Sequence, residues 1–529
     1  MTNEESSHYQ GDGKIERIVN HMINTESFGI DESDHPYHID KSGNYILTSL
    51  YSKKFKKSLR RIAREHGDNL KVDDIKEVIE EISSEAEHEG EQNLQPYKRT
   101  APYGLEYVKL DCANEDGSLY LVGGNEVATI TNGSETHFQR TENMQPLPQI
   151  AEVGNWKLLL KFLNMASMEV YLFIAWLTYT IATPRSLHAG YPLLILLGSH
   201  GVGKSFLCKS IIRRFVDPVA NPISVFPKNV KDMAIASQNN HLLIYDNIRS
   251  FSSDWSDILA ILACGGTIST RGLYTNAEEF VLKLHSPVVL NGIHAFIKEA
   301  DLADRCLTIN LKRLSEESRK DEKALSDELD KLTPKIYRGL LDLTSQILAK
   351  RKSVEVIQKA RMIDFSIWLA AMEECIDLEP GKLQVAYSQN VKLAMLDTLI
   401  EDPFAHAVLE FAKKNPEPEI WTGQPTQLFR LLSEGVPLKI LGNANKNKDV
   451  LEKAGNVVNT DENDKQAESS KVANGLFETY KNTKPVSDII KKGASDYSKA
   501  SKKDKKSIKE KIISDVETAI NEKLNRLIS

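Results

Sequence analysis

One segment of the chain carries the residue types of a phosphate-binding loop. Residues 198–205 read Gly-Ser-His-Gly-Val-Gly-Lys-Ser, in the spacing G-x-x-x-x-G-K-S, between an apolar run and a helix-like stretch. Glycines let the backbone curl so that its N–H groups point at phosphate oxygens, and the start of the following helix adds a favourable dipole. The lysine can reach the β- and γ-phosphates, and the serine hydroxyl can bind magnesium. The spacing therefore predicts an ATP–Mg²⁺ site whose nucleotide contacts are Gly198, Ser199, His200, Gly201, Val202, Gly203, Lys204 and Ser205.

A second apolar run ends in an acid. Residues 241–247 read His-Leu-Leu-Ile-Tyr-Asp-Asn, and a P-loop ATPase would place Asp246 toward the Mg²⁺ ion and its water shell. A strand that stops at an Asp-Asn turn is unremarkable by itself, but the upstream phosphate loop favours the functional interpretation. Many such ATPases have a second carboxylate at the position of Asn247, which activates the attacking water. Because an amide orients water but cannot take its proton, the general base stays open.

Two further polar residues complete the candidate ATPase site. Asn291 ends the apolar run Pro-Val-Val-Leu-Asn and is expected beside the γ-phosphate, where it would position the attacking water. Arg305 precedes the strand-like residues 307–311 and is expected to face the next subunit, where it would neutralise transition-state charge in trans. The alternative for Arg305 is a surface ion pair with Asp301 or Asp304.

These residues need a parallel sheet to position them. Apolar runs alternate with helical stretches over 155–312, which predicts an α/β parallel sheet flanked by helices. Short β-like runs over 107–138 predict a small antiparallel sheet, and Pro334 is expected to open a helix. The expected organisation is a disordered N-terminus (1–30), an N-terminal α+β domain (31–150), the ATPase core (151–315), a mainly helical C-terminal region (316–440), a linker (441–475) and a lysine-rich helical tail (476–529).

Composition excludes several protein classes. The 529 residues carry a net charge of −7 and are 41% hydrophobic, which is enough to bury several cores. Five scattered cysteines without a C-x-x-C pair argue against a disulfide framework or a zinc site and fit a cytoplasmic protein. The most apolar run, 170–182, is shorter than the roughly 20 residues of a membrane-spanning helix, so no membrane partner is expected. Basic residues dominate 53–64 and acids dominate 73–91, patterns more typical of solvated helix faces than of binding sites.

The order of these motifs resembles the AAA+ ATPases, especially the superfamily 3 helicase branch. The resemblance covers about residues 35–435. Within this range, seven stretches are similar to the primase-helicase ATPases of phages, plasmids and integrated elements: 138–148, 245–247, 271–276, 289–293, 301–305, 361–368 and 421–423. The resemblance implies a homo-oligomeric, usually hexameric, ATP-driven ring that moves along single-stranded or forked DNA during replication of a mobile element. No paired-carboxylate primase centre is visible upstream, so a primase or polymerase would be a separate partner.

The stretch 271–283 is the candidate DNA contact. It is expected to form a hairpin with a Thr-Asn turn, and helicases of this branch place such a hairpin in the central channel. A cation there meets phosphate and an aromatic ring stacks on a base, which makes Arg271, Tyr274 and Lys283 the candidates. A purely structural hairpin or an inter-subunit contact is the alternative.

One other function fits the same pattern, and a third, remodelling of protein partners, has no specific support in the sequence. An ATP-gated DNA-binding initiator or regulatory switch would use the same site to assemble without unwinding DNA. A remodeller of protein partners would hydrolyse ATP independently of DNA. A small-molecule kinase is disfavoured by the position of Arg305 and by the chain length.

Overall fold

The computed structural model describes residues 5–41, 45–131, 136–185, 189–271, 279–312 and 322–400. Residues up to Leu399 form one compact unit. The predicted linker (441–475), the predicted tail (476–529) and the last forty residues of the predicted helical region (401–440) lie outside the described residues.

Fifteen strands and twelve α-helices are described in these stretches, together with a 3-10 helix (Trp156–Phe162) and a π-helical turn (Leu207–Ile212). The strands are β1 (Ser27–Asp31), β2 (Pro36–Asp40), β3 (Ile46–Ser49), β4 (Glu91–Leu94), β5 (Thr100–Tyr103), β6 (Tyr107–Asp111), β7 (Ser118–Gly123), β8 (Glu126–Thr131), β9 (Phe138–Gln139), β10 (Leu193–Leu197), β11 (Leu243–Ile248), β12 (Gly266–Arg271), β13 (Glu279–Leu284), β14 (Val288–Gly292) and β15 (Cys306–Asn310). The helices are α1 (Glu5–Thr25), α2 (Lys53–Glu65), α3 (Val72–His88), α4 (Ser167–Ala182), α5 (Lys204–Phe206), α6 (Arg213–Val216), α7 (Val230–Asn239), α8 (Ser253–Cys264), α9 (Ala300–Ala303), α10 (Glu322–Lys350), α11 (Ile363–Cys375) and α12 (Lys382–Ile400).

The N-terminal part packs helices α1, α2 and α3 onto a five-stranded sheet of order β4-β1-β2-β3-β9. Helix α1 contributes Ile15, Ile18, Val19 and Met22 to this core, a spacing that places all four on one helix face. Residues 5–25 therefore form a helix within the segment predicted to be disordered (1–30). Glu16, Arg17 and Asn20 occupy the remaining faces of this helix and are exposed.

A separate antiparallel sheet of order β5-β6-β7-β8 lies where the sequence predicted one. Its inward residues Val108, Leu110, Tyr120 and Val122 belong to the same hydrophobic core as α4 and α10. This sheet thus packs with the elements beyond residue 150, where the sequence placed a domain boundary. Local composition could not show this shared core, because the packing partners are distant in the chain.

The candidate site rests on a four-stranded sheet of order β11-β14-β10-β15, in which all the pairings are parallel. Along β10, Leu194 and Leu196 face one core, whereas Leu193, Ile195 and Leu197 face another. A strand covered on both faces needs a continuous apolar sequence, which explains the run Leu-Leu-Ile-Leu-Leu. The α/β class and the parallel strands predicted from the sequence are confirmed.

Helices cover both faces of the parallel sheet. Helices α4, α6, α10 and α11 contribute to the core on one face, and α7 and α8 contribute to the core on the other. Trp176 and Trp368 are buried at 0% and 1% exposure, as expected for core residues. No helix in the described stretches is long and apolar enough to cross a membrane.

Pro334 lies inside α10 and does not open a helix, which corrects the prediction. A proline inside a helix costs about 3 kcal/mol, because one backbone hydrogen bond is lost and the ring clashes with the preceding turn. Ile336, Tyr337 and Leu340 follow it and are fully buried. Each such side chain contributes about 1.5–3 kcal/mol when it is buried, so the packing of α10 outweighs the cost of the proline.

Candidate functional site

The carboxyl edge of the parallel sheet gathers four of the predicted functional features. The loop 198–203 follows β10, Asp246 and Asn247 lie in the last half of β11, and Asn291 lies near the end of β14. Leu196 of β10 is paired in register with Asn291. Parallel strands end at the same edge of a sheet, and ligands of open α/β sheets bind in the crevice at that edge.

The phosphate loop has the backbone that its glycines predict. Gly201 and Gly203 have φ values of 76° and 87°, in the left-handed region that other residues rarely adopt. A Cβ atom on Gly198 would lie 2.9 Å from Cγ2 of Val202 and 3.2 Å from the carbonyl oxygen of Leu311. The loop therefore requires glycine at each of these positions.

Asn164 holds the loop against the neighbouring strand. Its side-chain amide donates to the carbonyl oxygen of Val202 at 2.7 Å and to that of Lys312 at 3.0 Å. One amide thus joins the phosphate loop to the segment that follows β15. The role of Asn164 was not predicted from the sequence, since an isolated asparagine 34 positions before the loop has no recognisable pattern.

Lys204 is hydrogen-bonded to the loop itself. Its Nζ donates to the carbonyl oxygens of Gly198 at 2.5 Å and Ser199 at 3.0 Å. Partial burial lowers the pKa of Lys204, and the nearby Asp246 carboxylate acts in the opposite direction. An incoming phosphate would compete with these two carbonyl oxygens for the ammonium group.

The residues present fit a magnesium–nucleotide complex. Ser205 is exposed in the first helical turn after the loop, and Asp246 is half-buried in β11. Both are oxygen ligands of the kind that Mg²⁺ prefers, and Mg²⁺ usually takes only one or two protein ligands, with phosphates and water filling the rest. Within the described stretches no group of three or more histidine, cysteine or acidic residues could hold a metal ion.

Asn291 is a buried residue whose side chain connects two elements of the candidate site. Its Oδ1 accepts the backbone N–H of Asn247 at 3.1 Å, and its Nδ2 donates to Sγ of Cys208 at 3.7 Å. Burial raises the pKa of Cys208 to about 12, so its thiol stays neutral and accepts only weakly. The side chain is fully buried and links the end of β11 to the π-helical turn Leu207–Ile212 that follows the loop. Its predicted role in positioning water stays a prediction.

Asn247 has a left-handed backbone, with φ at 59°. Asparagine tolerates this conformation better than most residues, because its short polar side chain bonds locally. Its side chain is exposed at the edge of the site. The backbone conformation therefore favours asparagine, aspartate or glycine at this position.

Arg305 lies at the amino-terminal ends of the parallel strands, opposite the ends that carry the loop. Its carbonyl oxygen accepts the backbone N–H of Leu193, the first residue of β10, at 2.9 Å. The five residues of β10 span about 16 Å at the usual rise of a strand, so the arginine stands a strand length away from the loop of its own chain. Its predicted role toward a neighbouring subunit stays a prediction.

In the single chain Arg305 forms the ion pair that was the alternative interpretation. Its guanidinium donates to Oδ2 of Asp301 at 2.5 Å, and its Nε lies 3.4 Å from Sγ of Cys264. The other carboxylate oxygen of Asp301 accepts from Arg361 at 2.5 Å. One carboxylate thus holds two arginines side by side, and Arg305 is 12% exposed in this arrangement.

The hairpin predicted over 271–283 is formed by β12 and β13, which pair antiparallel from Gly266–Leu284 to Arg271–Glu279. Arg271 ends β12, and Tyr274 lies outside the described residues. Lys283 lies one pair from the base of the hairpin, and its Nζ is 2.8 Å from Oε2 of Glu32. The predicted DNA-contacting role of these three residues is not tested by this geometry.

A buried charge network behind the site was missed by the sequence analysis. Asp217, just after α6, accepts from Arg99 Nε at 3.1 Å and from the backbone N–H groups of His241 and Leu242 at 3.0 and 3.2 Å. Burial alone would raise the pKa of Asp217, but the Arg99 and Arg213 guanidiniums hold it below its usual range. The carboxylate ties the phosphate-loop helix to the start of β11 and to β5.

One protein family and several solved structures are similar to parts of the chain that include the candidate site. Residues 156–396 match the model of a family described as actinomycete integrative conjugative element replication protein. No curated protein matches the chain. Among solved structures, the apo C-terminal region of NrS-1 is 14% identical over 80% of this chain and 89% of that one, with a TM-score of 0.36. The JCV helicase is 12% identical over 45% and 69%, with a TM-score of 0.21. The segment that holds the phosphate loop, β11, β14 and Arg305 is thus similar to a family of replication proteins.

Proposed function

We propose that the chain is an ATP-dependent DNA helicase or translocase, an AAA+ motor of the superfamily 3 type that assembles as a hexamer during replication of a mobile element. The observation that supports a ring is the placement of the candidate residues at the two opposite ends of the parallel strands. The loop, Asp246 and Asn291 lie at one end, and Arg305 lies at the other. A site divided in this way is completed by a head-to-tail contact between copies, and such a contact generates a ring when the rotation between copies closes.

The residues of one chain would bind the triphosphate and its metal ion. Lys204 would leave the two loop carbonyl oxygens for the β- and γ-phosphates, and Ser205 and Asp246 would bind Mg²⁺. The bound magnesium would neutralise charge on the phosphate oxygens. Asn247, held by Asn291, would orient the attacking water.

The neighbouring copy would supply the remaining charge. Arg305 would exchange its ion pair with Asp301 for the γ-phosphate of the next chain, which couples ATP binding to the contact between subunits. Cycles of closure and release at this contact would move the β12–β13 hairpins along a strand of DNA. Arg271, Tyr274 and Lys283 are the proposed contacts, and Lys283 would have to release Glu32 to reach a phosphate.

The similarity of residues 156–396 to replication proteins supports DNA as the substrate. A separate primase or polymerase is the proposed partner. The test is strand displacement from a forked duplex in the presence of ATP and Mg²⁺, with the 5′ or 3′ tail removed in turn. Displacement that requires one particular tail is the expected result.

The second candidate is an ATP-gated initiator or switch that assembles on DNA without unwinding it. The observation that favours it is Asn247, whose amide cannot accept the proton of the attacking water. ATP-dependent assembly on the fork without displacement would establish this candidate and contradict the motor.

A further inference from the structure

Helix α2 presents a dense cationic face. Seven of its thirteen residues are basic and only one is acidic. Six of the seven basic side chains are exposed and Lys56 is half-buried; together they form the α2 basic face: Lys53, Lys54, Lys56, Lys57, Arg60, Arg61 and Arg64.

The rest of the helix is anchored in the core. Phe55, Leu59, Ile62 and Ala63 are buried in the N-terminal core between α1, α3 and the sheet. The Ser52 side chain caps the helix by accepting the backbone N–H of Phe55 at 3.1 Å. Because the apolar side of α2 is packed in the core, the basic side chains on its other side face the solvent.

These cations are not neutralised within the described part of the chain. Arg61 alone has an ion-pair partner there, Glu65 at 3.9 Å. Of the acids that follow α2 in the chain, Asp68 pairs with Arg17 and Asp74 pairs with Lys14. The α2 basic face thus keeps its positive charge on a chain whose net charge is −7.

The geometry points to DNA as the occupant. The cations from Lys53 to Arg64 extend over about 16 Å of helix axis, and duplex DNA presents about one charge per 1.7 Å of its axis. A membrane-surface helix needs an exposed apolar face to insert into the lipid, and here that face is buried under the protein. Lysine and arginine side chains are common partners of DNA phosphates, and such contacts carry no sequence information directly.

We infer that the α2 basic face is a DNA-backbone-binding surface on the N-terminal part of the protein, separate from the β12–β13 hairpin. The choice of DNA among polyanions rests on the proposed function. Such a surface would hold the duplex or the displaced strand while the hairpins act on the other strand. This binding would not require a nucleotide.

The test is DNA affinity as a function of salt, measured with the full chain by fluorescence anisotropy of a labelled single-stranded oligonucleotide without ATP. The variant is Lys57→Gln/Arg60→Gln/Arg64→Gln, three exposed residues without partners among the described ones. Three lost phosphate contacts reduce the slope of log affinity against log salt by about 2, which corresponds to about a hundredfold weaker binding at 0.1 M salt if the curves meet at 1 M. The matched control is Lys323→Gln/Lys331→Gln/Lys335→Gln on α10, which makes the same change in net charge at exposed positions and should keep the wild-type slope.

The α2 variant should melt at the wild-type temperature, because its changes lie outside the core. An α2 variant that binds with the wild-type slope, or equal losses in both triple variants, would overturn the inference. Binding of the wild type to anionic phosphatidylserine vesicles but not to DNA would also overturn it. The motor is tested separately by ATP turnover: DNA binding through α2 without turnover would contradict the motor alone, and DNA-stimulated turnover with normal binding by the α2 variant would contradict this inference alone.

Discussion

Mild acidification should destabilise the protein through His241, the residue that leads into β11. Its ring is fully buried, Nε2 lies 3.5 Å from the carbonyl oxygen of Thr180, and Nδ1 has no hydrogen-bond partner among the described residues. Burial, assisted by the positive charge of Arg185, lowers the pKa of His241 to about 3. An unfolded histidine has a pKa of about 6.5. Below that pH the unfolded chain therefore takes up a proton that the folded chain excludes.

The sign and size of the effect follow from this difference. The pKa of His241 is depressed in the folded state, so its contribution to stability is complete above pH 6.5 and is lost as the pH falls toward 3. Between pH 7.5 and pH 5.0 the unfolded chain takes up a proton at His241 and the folded chain does not. This difference lowers the free energy of unfolding by about 2 kcal/mol over that range.

The assay is urea unfolding at both pH values for the wild type and for His241→Phe, which keeps a ring of similar size but cannot be protonated. His35 and His137 also have lowered pKa values because they are buried, and they contribute equally to both proteins. The wild type should lose about 2 kcal/mol more than the variant between the two pH values. His88→Gln, at an exposed position of α3, should behave as the wild type does. Equal losses for the wild type and His241→Phe would refute the reasoning.

Three further predictions concern the residues around the site. Asp217→Asn should lower the free energy of unfolding by about 3–5 kcal/mol in urea, because two buried guanidiniums lose their counter-charge; a loss under 1 kcal/mol would contradict the buried network. Asn247→Ala should cost about 1–2 kcal/mol in the same assay and Asn247→Gly much less, because φ is positive there; equal costs would contradict this conformation. Arg305→Ala and Lys204→Ala should each abolish ATP hydrolysis, yet an equal mixture should regain about a quarter of the sites, since one contact in four joins an intact loop to an intact arginine; a mixture without activity would contradict action in trans.

Short-range patterns carried most of what the sequence predicted correctly. The apolar runs that became β10, β11, β14 and β15 and the alternating runs of β6, β7 and β8 need only local periodicity to be recognised. The phosphate loop is equally local, since its glycines and its lysine lie within eight residues. Because parallel strands share an edge, the convergence of Asp246 and Asn291 on that loop followed from topology.

Long-range partners account for what the sequence did not show. Arg99 and Asp217 are 118 residues apart, and Asn164 reaches Lys312 across 148 residues. No local pattern in the sequence indicates that such distant residues form pairs. Helix α1 and the proline inside α10 were misjudged for a related reason, since both are stabilised by packing against elements that a single segment does not contain.

The central claim is that the loop at residues 198–205 drives a DNA-dependent ATPase in an assembled ring. The most direct measurement is ATP hydrolysis with and without single-stranded DNA, for the wild type and Lys204→Ala, combined with the mass of the particle in solution. The account predicts turnover that DNA stimulates strongly, in a hexamer-sized particle, and that Lys204→Ala abolishes. ATP binding with negligible turnover, whatever DNA is added, would contradict the motor and identify Asn247 as the mark of a switch.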